Sequence, residues 1–481
     1  MNKHLSTFRI GHKFLLQDIA GYCRILIMDE ISNLLAQPES KTLEFKKNLS
    51  SLQPILKTIV AFANTSGGTL VIGIDPSKKI LGIHNILKSE EALANAIADS
   101  IEPALLPEIE IATVQNKNLL IVKVSHWKAP FYLKKEGIPR GVYIRLGSTS
   151  RPAGPEIIEE LKRSITNLSY DQQAVSGLMK DALDLEKIKA AFNQIKKQIS
   201  KDKLLSLGIL THYNGGIAPS IGGLILFGKK EIRETYVPDA RVRCARFNGK
   251  DKTEILDHQE IDGSILDAVM EIPKFISRNT RLGAKIQKIR RKDIPEYPEV
   301  AIREILINAL AHADYSISGS AIQVAIFDDR LEIQNPGMLP FGFTMEDLKS
   351  GVSRVRNRVI AKVFHELKLM EEWGSGYKRV IQACQNEGYL EPNWMEHGTT
   401  MRVTFYSGRK KTTSTSTELT ERQKAILSLF RKGKSLPFRT IFDAFSSEIS
   451  ERMLRYELSQ LKNKGLLTPK GKGPSTVWAK N

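Results

Sequence analysis

Apolar residues recur at helical spacing in the segment 298–310, which predicts an amphipathic helix. Farther along, apolar positions alternate over residues 321–327 and 331–334, and this alternation predicts a β-hairpin. The break Asn335-Pro336-Gly337 follows the hairpin, and Gly374-Ser375-Gly376 precedes a further predicted helix. The order helix, hairpin, glycine break and helix indicates one folded region. The apolar face of the first helix comprises Ile302, Ile305, Leu306 and Leu310.

The first third of the chain predicts alternating strands and helices. A strand over 43–46 places Glu44 and Lys46 on one face, and a helix over 53–63 leads through a glycine turn into a strand over 69–74. The apolar runs 221–227 and 240–247 also have the pattern of strands.

The last part of the chain predicts three helices, at 420–430, 436–445 and 450–464, followed by a hairpin over 466–478. The polar stretch before them has nothing to bury and is expected to be a linker. These patterns predict an α+β protein of several domains. The expected divisions are an N-terminal extension with a lead-in helix (1–33), a first α/β domain (34–165), a middle coupling or dimerisation domain (166–291), a second α/β domain (292–406), a linker (407–419) and a terminal helical domain (420–481).

The net charge of the chain indicates a class of binding partner. The 481 residues carry a formal net charge of +18, and the 75 residues from Ser407 onward hold 16 Lys+Arg against 6 Asp+Glu, a net of +10. Such an excess favours polyanions, above all nucleic acid. The three cysteines, Cys23, Cys244 and Cys384, lie far apart, and the apolar runs are too short to span a bilayer. We therefore expect a cytoplasmic protein, and residues 1–27 are read either as native or as an extension upstream of Met28.

The helix 298–310 carries the first candidate chemistry. Glu304 and Asn308 lie four residues apart, so they share a helix face, and His312 and Asp314 follow. An amide oxygen can hold Mg²⁺ and a carboxylate can activate water. The alternative is an ordinary solvated helix face. The glycines at 374–376 favour the first interpretation, because glycines before a helix let backbone N–H groups approach phosphate.

In this order, the motifs E-x-x-x-N, N-P-G and G-S-G resemble the Bergerat-fold (GHKL) ATPases, and most closely a divergent branch named RecG-like helicases. The resemblance implies an α/β sandwich that binds ATP and Mg²⁺, with Glu304 as general base and Asn308 as Mg²⁺ ligand. Asn335 stands where the family has an adenine-reading Asp, and Leu339 where a second glycine is usual, so binding is expected rather than fast hydrolysis. The other nucleotide-binding candidates are His312, Asp314, Gly337, Arg356, Asn357, Gly374 and Gly376.

The segment Ser353–Arg358 between the glycine motifs is read either as a lid, with Arg356 and Arg358 reaching phosphates, or as a solvated charge run. No G-x-x-x-x-G-K-[ST] motif occurs in the sequence, so a P-loop helicase motor is excluded.

Near the N-terminus, Glu39, Glu44, Lys46 and Asp75 are residue types that a metal-dependent phosphodiesterase uses. Structural roles are the alternative, since spacing alone does not make a metal site. The segment E-S-x-x-x-E-F-K with its downstream glycine motif resembles the Schlafen-type AlbA domain. That resemblance implies nucleic-acid binding and, by analogy with eukaryotic Schlafens, a triad of Glu39, Glu44 and Asp75 that would hold Mn²⁺ or Mg²⁺ and cleave RNA. Phosphate contacts are expected from Arg140, Arg145 and Arg151.

The terminal three helices and hairpin resemble a winged helix-turn-helix, which implies insertion of the last helix into the DNA major groove. The expected contacts are Arg452, Arg455, Lys470 and Lys472, and the alternative is a basic oligomerisation module. Two functions follow from these patterns. The first is an ATP-responsive, DNA-binding regulator that acts as a homodimer. The second is a metal-dependent endoribonuclease acting on tRNA or other structured RNA, in phage defence.

Overall fold

The structure is a computed structural model that describes residues 31–287, 290–371, 375–408, 421–430, 435–446, 449, 451–463, 465–470 and 476–480. The expected extension 1–27 and most of the expected linker lie outside these residues. The chain divides into two compact units, Met1–Gly408 and Arg409–Asn481. Each unit is described separately below.

The first unit begins with a four-stranded sheet. Its strands are β1 (Leu43–Lys46), β2 (Gly68–Ile72), β4 (Glu108–Val114) and β5 (Lys117–Val124), in the order β1-β2-β5-β4. Helix α1 (Leu52–Asn64) connects the parallel pair β1 and β2, as the sequence predicts. Buried aliphatic side chains of α1 and the sheet form one core, which is why this helix is apolar along most of its length.

The smaller elements of this region follow the sheet along the chain. Helix α2 (Ile86–Ser100) leads into the short strand pair β3 (Ile101–Glu102) and β6 (Tyr132–Leu133). A hairpin of β7 (Tyr143–Leu146) and β8 (Thr149–Pro152) then precedes helix α3 (Pro155–Ile165), which has Pro155 at its first turn.

A connecting region follows, and one expectation fails there. The run Ile221–Phe227, expected as a strand, is a helix, because the Ser220 side chain caps it by accepting a hydrogen bond from Gly223 N at 2.9 Å. Every residue from Gly222 to Phe227 is buried, and a fully buried run has no periodicity that separates helix from strand. The elements here are α4 (Leu185–Gln194), α5 (Lys201–Ser206), β9 (Leu210–Tyr213), β10 (Gly216–Pro219), α6 (Ile221–Phe227) and α7 (Lys230–Tyr236).

A six-stranded sheet forms the centre of the first unit, in the order β12-β11-β15-β16-β18-β17. The predicted hairpin is present as β15 and β16. Strands β11 and β12 come from the expected middle domain, so the division at residue 291 does not correspond to a division of the fold. The strands are β11 (Val242–Phe247), β12 (Ile255–Ile261), β15 (Ile322–Ile326), β16 (Arg330–Pro336), β17 (Asn393–His397) and β18 (Thr400–Tyr406).

Helices pack on one face of this sheet and share one core with it. Along β16, Leu331 and Ile333 point into that core, so Asn335 faces the helices as well. The predicted helix 298–310 is confirmed as α9 (Glu299–His312). The remaining elements are α8 (Ile265–Asn279), β13 (Leu282–Gln287), β14 (Arg290–Pro295), α10 (Met345–Ser350), α11 (Arg358–Glu366) and α12 (Gly376–Glu387).

The second unit contains the three predicted helices and a three-stranded sheet. Leu454, Leu458 and Leu461 form the predicted apolar stripe of its last helix and are fully buried. The sheet has the order β19-β21-β20 and includes the predicted hairpin. The elements are α13 (Glu421–Ser428), β19 (Ser435–Pro437), α14 (Phe438–Asp443), α15 (Glu451–Asn463), β20 (Leu467–Lys470) and β21 (Val477–Lys480).

One guanidinium joins the N-terminal region of the first unit to the six-stranded sheet. Arg356 Nη1 donates to Glu160 Oε1 of α3 at 2.6 Å and to Asp314 Oδ2, just after α9, at 3.0 Å. Its Nη2 donates to the Met338 carbonyl at 2.6 Å. The Arg356 side chain is only 9% exposed, so both carboxylates depend on it for charge compensation.

Replacing Arg356 by Leu would leave Glu160 and Asp314 without their shared cation. We expect this variant to lose about 3–5 kcal/mol of unfolding free energy, because an unpaired buried charge is costly. Urea denaturation followed by tryptophan fluorescence measures the loss. As a control, Lys189→Ala removes an exposed pair with Glu186 and should change stability by about 0.5 kcal/mol or less. Equal denaturation midpoints for the two variants would contradict the assignment.

Candidate functional site

A pocket of about 970 Å³, including the part open to solvent, lies between the helical layer and the six-stranded sheet of the first unit. Its wall contains Glu304, Asn308 and His312 from α9, Asn335 from β16 and Gly376 at the start of α12. The structure thus brings together five of the residues expected to bind nucleotide. Glu304, Asn308 and His312 face the pocket because residues four apart share one face of a helix. Asn335 faces it because alternate residues of strand β16 point to the same side of the sheet.

Glu304 is held by an arginine that no sequence motif singles out. Arg379 Nη2, on α12, donates to both Glu304 carboxylate oxygens, at 3.1 and 3.0 Å. Arg379 also pairs with Glu371. Asn308 Nδ2 lies 3.4 Å from Glu304 Oε1, which leaves the amide oxygen of Asn308 available to a cation.

The start of α12 touches the same carboxylate. A Cβ added to Gly376 would lie 2.6 Å from Glu304 Oε1 and 3.2 Å from Asn308 Nδ2. Only glycine therefore permits this close approach of helix α12 to helix α9. The lack of a side chain at Gly376 leaves space beside Glu304 and Asn308. The sequence motif predicts that phosphate binds at this glycine. Gly374 is outside the described residues.

The remaining wall is apolar and aromatic. Tyr377 and Trp394 pack with their ring centroids 4.7 Å apart, and both line the pocket. Met401 and Val403 of β18 cover the floor next to Asn335. A planar heterocycle would find apolar contact here, and the polar ends of Glu304 and Asn308 suit phosphate with its metal ion. Sequence reasoning missed these apolar residues because their spacing is that of ordinary core positions.

Asn335 and His312 supply the polar groups deeper in the pocket. Asn335 is buried, and its Nδ2 donates to the Pro336 carbonyl at 3.1 Å. Its amide oxygen can accept a hydrogen bond from a ligand. Burial lowers the pKa of His312 to about 4, so its imidazole is neutral near pH 7.

Four of the expected nucleotide-binding residues have structural roles instead. Asp314 and Arg356 form the ion pair described above, and neither lines the pocket. Gly337 has a φ of +96°, and a Cβ there would lie 2.8 Å from Asp314 Cβ. Asn357 Nδ2 donates to the carbonyls of Ala311 and Ala313 at the end of α9, at 3.0 and 2.7 Å. The expected lid arginines do not reach the pocket either, since Arg358 donates to the Asn167 carbonyl at 2.7 Å.

The N-terminal acids are not gathered into a cluster. Glu44 is buried and pairs with both Arg145 and Lys46, and Glu39 accepts a hydrogen bond from Phe45 N at 2.9 Å. Asp75 caps its own turn, and hydrogen bonds from Ser77 lower the pKa of the Asp75 carboxyl. Among the described residues, no group of three or more His, Cys, Asp or Glu side chains is placed to hold a metal ion.

The expected phosphate-binding arginines of this region divide into two kinds. Arg140 and Arg151 are exposed, as a nucleic-acid contact requires. Arg145 is fully buried: besides Glu44 it contacts the Ser40 carbonyl at 2.8 Å, and its guanidinium lies 5.0 Å from the Phe62 ring centroid. A buried arginine that neutralises Glu44 cannot also reach a phosphate at the surface.

In the second unit, the expected nucleic-acid residues are described only in part. Arg455 is exposed on α15, where it pairs with Glu451 at 2.6 Å and lies over the Phe438 ring. Lys470 is exposed at the end of β20. The Arg452 side chain and Lys472 are outside the described residues.

Comparison with known proteins finds a family match for the N-terminal region of the chain. Residues 39–154 match the family described as Schlafen, AlbA_2. Over 27% of this chain and 93% of the other, the sequence is 30% identical to the N-terminal domain of a putative ATP-dependent DNA helicase RecG-related protein from Nitrosomonas europaea, with a TM-score of 0.22. The chain therefore contains a Schlafen AlbA_2 domain.

The six-stranded sheet region of the first unit has its own match. Residues 319–405 match the HATPase family described as putative ATP-dependent DNA helicase recG C-terminal. This range contains Asn335 and most of the pocket floor, and it begins after α9 with Glu304 and Asn308. The chain is also similar to the DIP2311 protein from Corynebacterium diphtheriae, with 19% identity over 95% of this chain and 97% of that one, and a TM-score of 0.43. Within the described residues, no helix is long and apolar enough to cross a membrane.

The lowered pKa of His312 predicts a pH dependence of stability. An unfolded histidine takes up its proton near pH 6.5, whereas folded His312 does so only near pH 4. The unfolded state therefore binds the proton first as pH falls, and up to about 3 kcal/mol of folding free energy is lost between these values.

Urea denaturation of wild type and of His312→Gln between pH 7 and pH 4 measures this contribution. We expect the stability of the variant to fall less steeply with decreasing pH, and the exposed His84→Gln to behave as wild type. Parallel curves for His312→Gln and wild type would show that His312 titrates normally in the folded protein.

Proposed function

We propose that this protein is a nucleic-acid-binding regulator whose nucleic-acid contacts respond to ATP. The observation that carries the proposal is the position of the segment 338–343, hereafter the shared segment. Met338, Leu339, Pro340 and Phe343 line the nucleotide pocket, while Met338 and Phe341 are buried among side chains of the AlbA_2 domain. A ligand in the pocket would therefore touch a segment that the AlbA_2 domain holds.

Polar contacts support the same coupling. Gly342 N donates to the Thr65 carbonyl at the end of α1, and Glu396 accepts both from Lys41 Nζ at 2.9 Å and from Leu339 N at 2.8 Å. Thr65 in turn accepts a hydrogen bond from Arg145 N at 2.9 Å through its side chain. A displacement of the shared segment would therefore also displace the turn at Thr65, which contacts Arg145 of the AlbA_2 domain.

Within the pocket, Asn308 would hold Mg²⁺, Asn335 would accept a hydrogen bond from the adenine amino group, and Glu304 would orient the attacking water. Bound ATP would supply the phosphoryl group and the charge that attracts Mg²⁺. The Arg379 guanidinium neutralises Glu304 and occupies both of its oxygens, which weakens it as a general base. Asn335 adds a weaker acceptor than a carboxylate. Both features favour nucleotide binding over rapid turnover.

Nucleic acid would meet two surfaces. Arg140 and Arg151 are exposed on the AlbA_2 domain, and the second unit combines three helices, a three-stranded sheet and a strongly basic composition. We propose that this unit is a winged helix whose Arg455 and Lys470 contact DNA. A cytoplasmic homodimer is part of the same proposal. We do not propose the helicase activity named for the relatives, because the sequence lacks a P-loop.

The alternative function, metal-dependent RNA cleavage, has less support. A catalytic carboxylate must be free to hold a metal ion, and both oxygens of Glu44 are engaged by Arg145 and Lys46. Asp75 is engaged by Ser77 and Lys79. No described contact draws these acids toward a common point.

Substitutions in the pocket test the nucleotide assignment. Asn308→Ala removes the proposed Mg²⁺ ligand, and Gly376→Ala places a methyl group against Glu304. We expect each to weaken binding of a fluorescent ATP analogue with Mg²⁺ by about tenfold or more, as for the loss of a charge-assisted contact.

The matched control for the glycine variant is Gly154→Ala, where the nearest side-chain atom would lie 3.4 Å from the new Cβ and the backbone is extended. It should bind the analogue as wild type does. If Asn308→Ala and Gly376→Ala also bind like wild type, the pocket is not the nucleotide site.

Truncation after Gly408 tests the second unit as a DNA reader. The truncated protein loses a net charge of +10 but retains a compact first unit. We expect its affinity for duplex DNA to fall and its binding to depend less steeply on salt, because fewer phosphates are neutralised. Fluorescence anisotropy over a salt series measures both quantities. Unchanged affinity and salt slope would exclude the second unit as the reader.

A further inference from the structure

A second cavity, of about 1190 Å³ including its open part, borders the shared segment at Pro340 and Phe341. It is bordered by α3 and the turn after it, by the loop that contains His126, and by residues 353–358. Its wall is polar and basic. The cations that line it are Lys128, Arg163, Arg354, Arg356 and Arg358.

The two acids of this cavity share one cation. Glu160 and Asp314 both bind Arg356. Among the described residues, no carboxylate lies within ion-pairing distance of Lys128, Arg163, Arg354 or Arg358. Lys128 and Arg358 donate hydrogen bonds to Asn167, and Arg163 donates to Ser316 Oγ at 3.4 Å. Five positive side chains and two carboxylates therefore line one cavity, which leaves a net of three positive charges there.

Arg354 is the most informative of these residues. Its guanidinium is half-buried next to Gly342, where an added Cβ would lie 2.7 Å from Nη1, and no described group accepts a hydrogen bond from it. Burial lowers the pKa of Arg354, and this effect outweighs the attraction of the Asp347 and Glu160 carboxylates. A partly desolvated guanidinium without a partner is unfavourable unless an anion binds to it.

His126 adds a second unsatisfied group at the same place. Its Nδ1–H donates to the Ala63 carbonyl at 2.9 Å, and its buried Nε2 has no hydrogen-bond partner. The ring borders both Gly342 and the second cavity. Burial lowers the pKa of His126 to about 4, so the ring is neutral near pH 7, Nε2 is a hydrogen-bond acceptor, and His126 adds no positive charge to the cavity.

We propose that the second cavity binds a phosphate group, with Arg354, Arg163 and Lys128 as its cationic partners. Arg163 is held over the Tyr170 ring, which fixes the direction of its guanidinium, and this geometry suits the bidentate binding of phosphate oxygens. The phosphate comes either from a nucleic-acid backbone or from a free phosphorylated compound, since both present the same oxygens. The site is separate from the nucleotide pocket, but Pro340, Ser353 and Arg354 line both.

Two probes distinguish the sources. Inorganic phosphate is titrated calorimetrically into the full chain, and a short fluorescein-labelled single-stranded DNA is titrated by anisotropy and then competed with inorganic phosphate. We expect Arg163→Gln and Arg354→Gln each to weaken at least one probe by about tenfold, as for a lost charged hydrogen bond, and Arg354→Lys to restore part of the loss. Binding of inorganic phosphate alone identifies a free phosphate, whereas loss of DNA affinity identifies the backbone.

The control variant is Lys250→Gln, which removes an equal charge from an exposed loop that lines neither cavity. It should bind both probes as wild type does, and all variants are first compared by circular dichroism and thermal melting. The proposal is overturned if neither probe depends on Arg163, or if Lys250→Gln weakens binding as much as Arg163→Gln.

A further comparison separates this proposal from the assignment of the nucleotide pocket. Arg163 lines only the second cavity, so Arg163→Gln should leave binding of the ATP analogue unchanged. Conversely, Asn308→Ala should leave phosphate binding unchanged. Failure of one site in these assays therefore does not imply failure of the other.

Discussion

The buried guanidinium of Arg356 is the interaction on which the arrangement of the first unit depends. It takes one carboxylate from the AlbA_2 domain, Glu160, and one from the end of α9, Asp314, and it also binds the carbonyl of Met338. Separating the two parts would leave at least one of these charges without its partner, at a cost of several kcal/mol. The shared segment is therefore held between the AlbA_2 core and the proposed nucleotide pocket.

Because of this constraint, part of the pocket wall is held in place by the AlbA_2 domain and not only by the HATPase-family region. Helix α9 and strand β16 supply the polar groups, whereas the shared segment is fixed from outside, through Thr65 and Lys41. A ligand can alter a distant site only by binding two arrangements with different affinity. Any such difference would have to act through the shared segment, because its residues contact both the pocket and the AlbA_2 domain.

Much of the pocket could be predicted from sequence, since local rules fix it. The i, i+4 spacing places Glu304 beside Asn308, and strand parity brings Asn335 to the same side of the sheet. Long-range partners could not be predicted, because no local pattern reports them. Arg356 and Arg145 looked like phosphate ligands until the structure paired them with acids far away in the chain. The boundary at 291 failed for the same reason, since β11 pairs with β15 across it.

The pairing of Arg145 with Glu44 also bears on the family resemblance at the N-terminus. Because Glu44 is buried, removing Arg145 would leave a carboxylate with only Lys46 to compensate it, so the pair stabilises the core around Phe62 and Thr58. A metal ion at Glu44 would have to replace that arginine, which also binds Ser40 and Ser150. The same acidic residue type at the same motif position can thus be a metal ligand in one protein and a structural ion pair in another. What differs is whether a buried cation already satisfies the carboxylate.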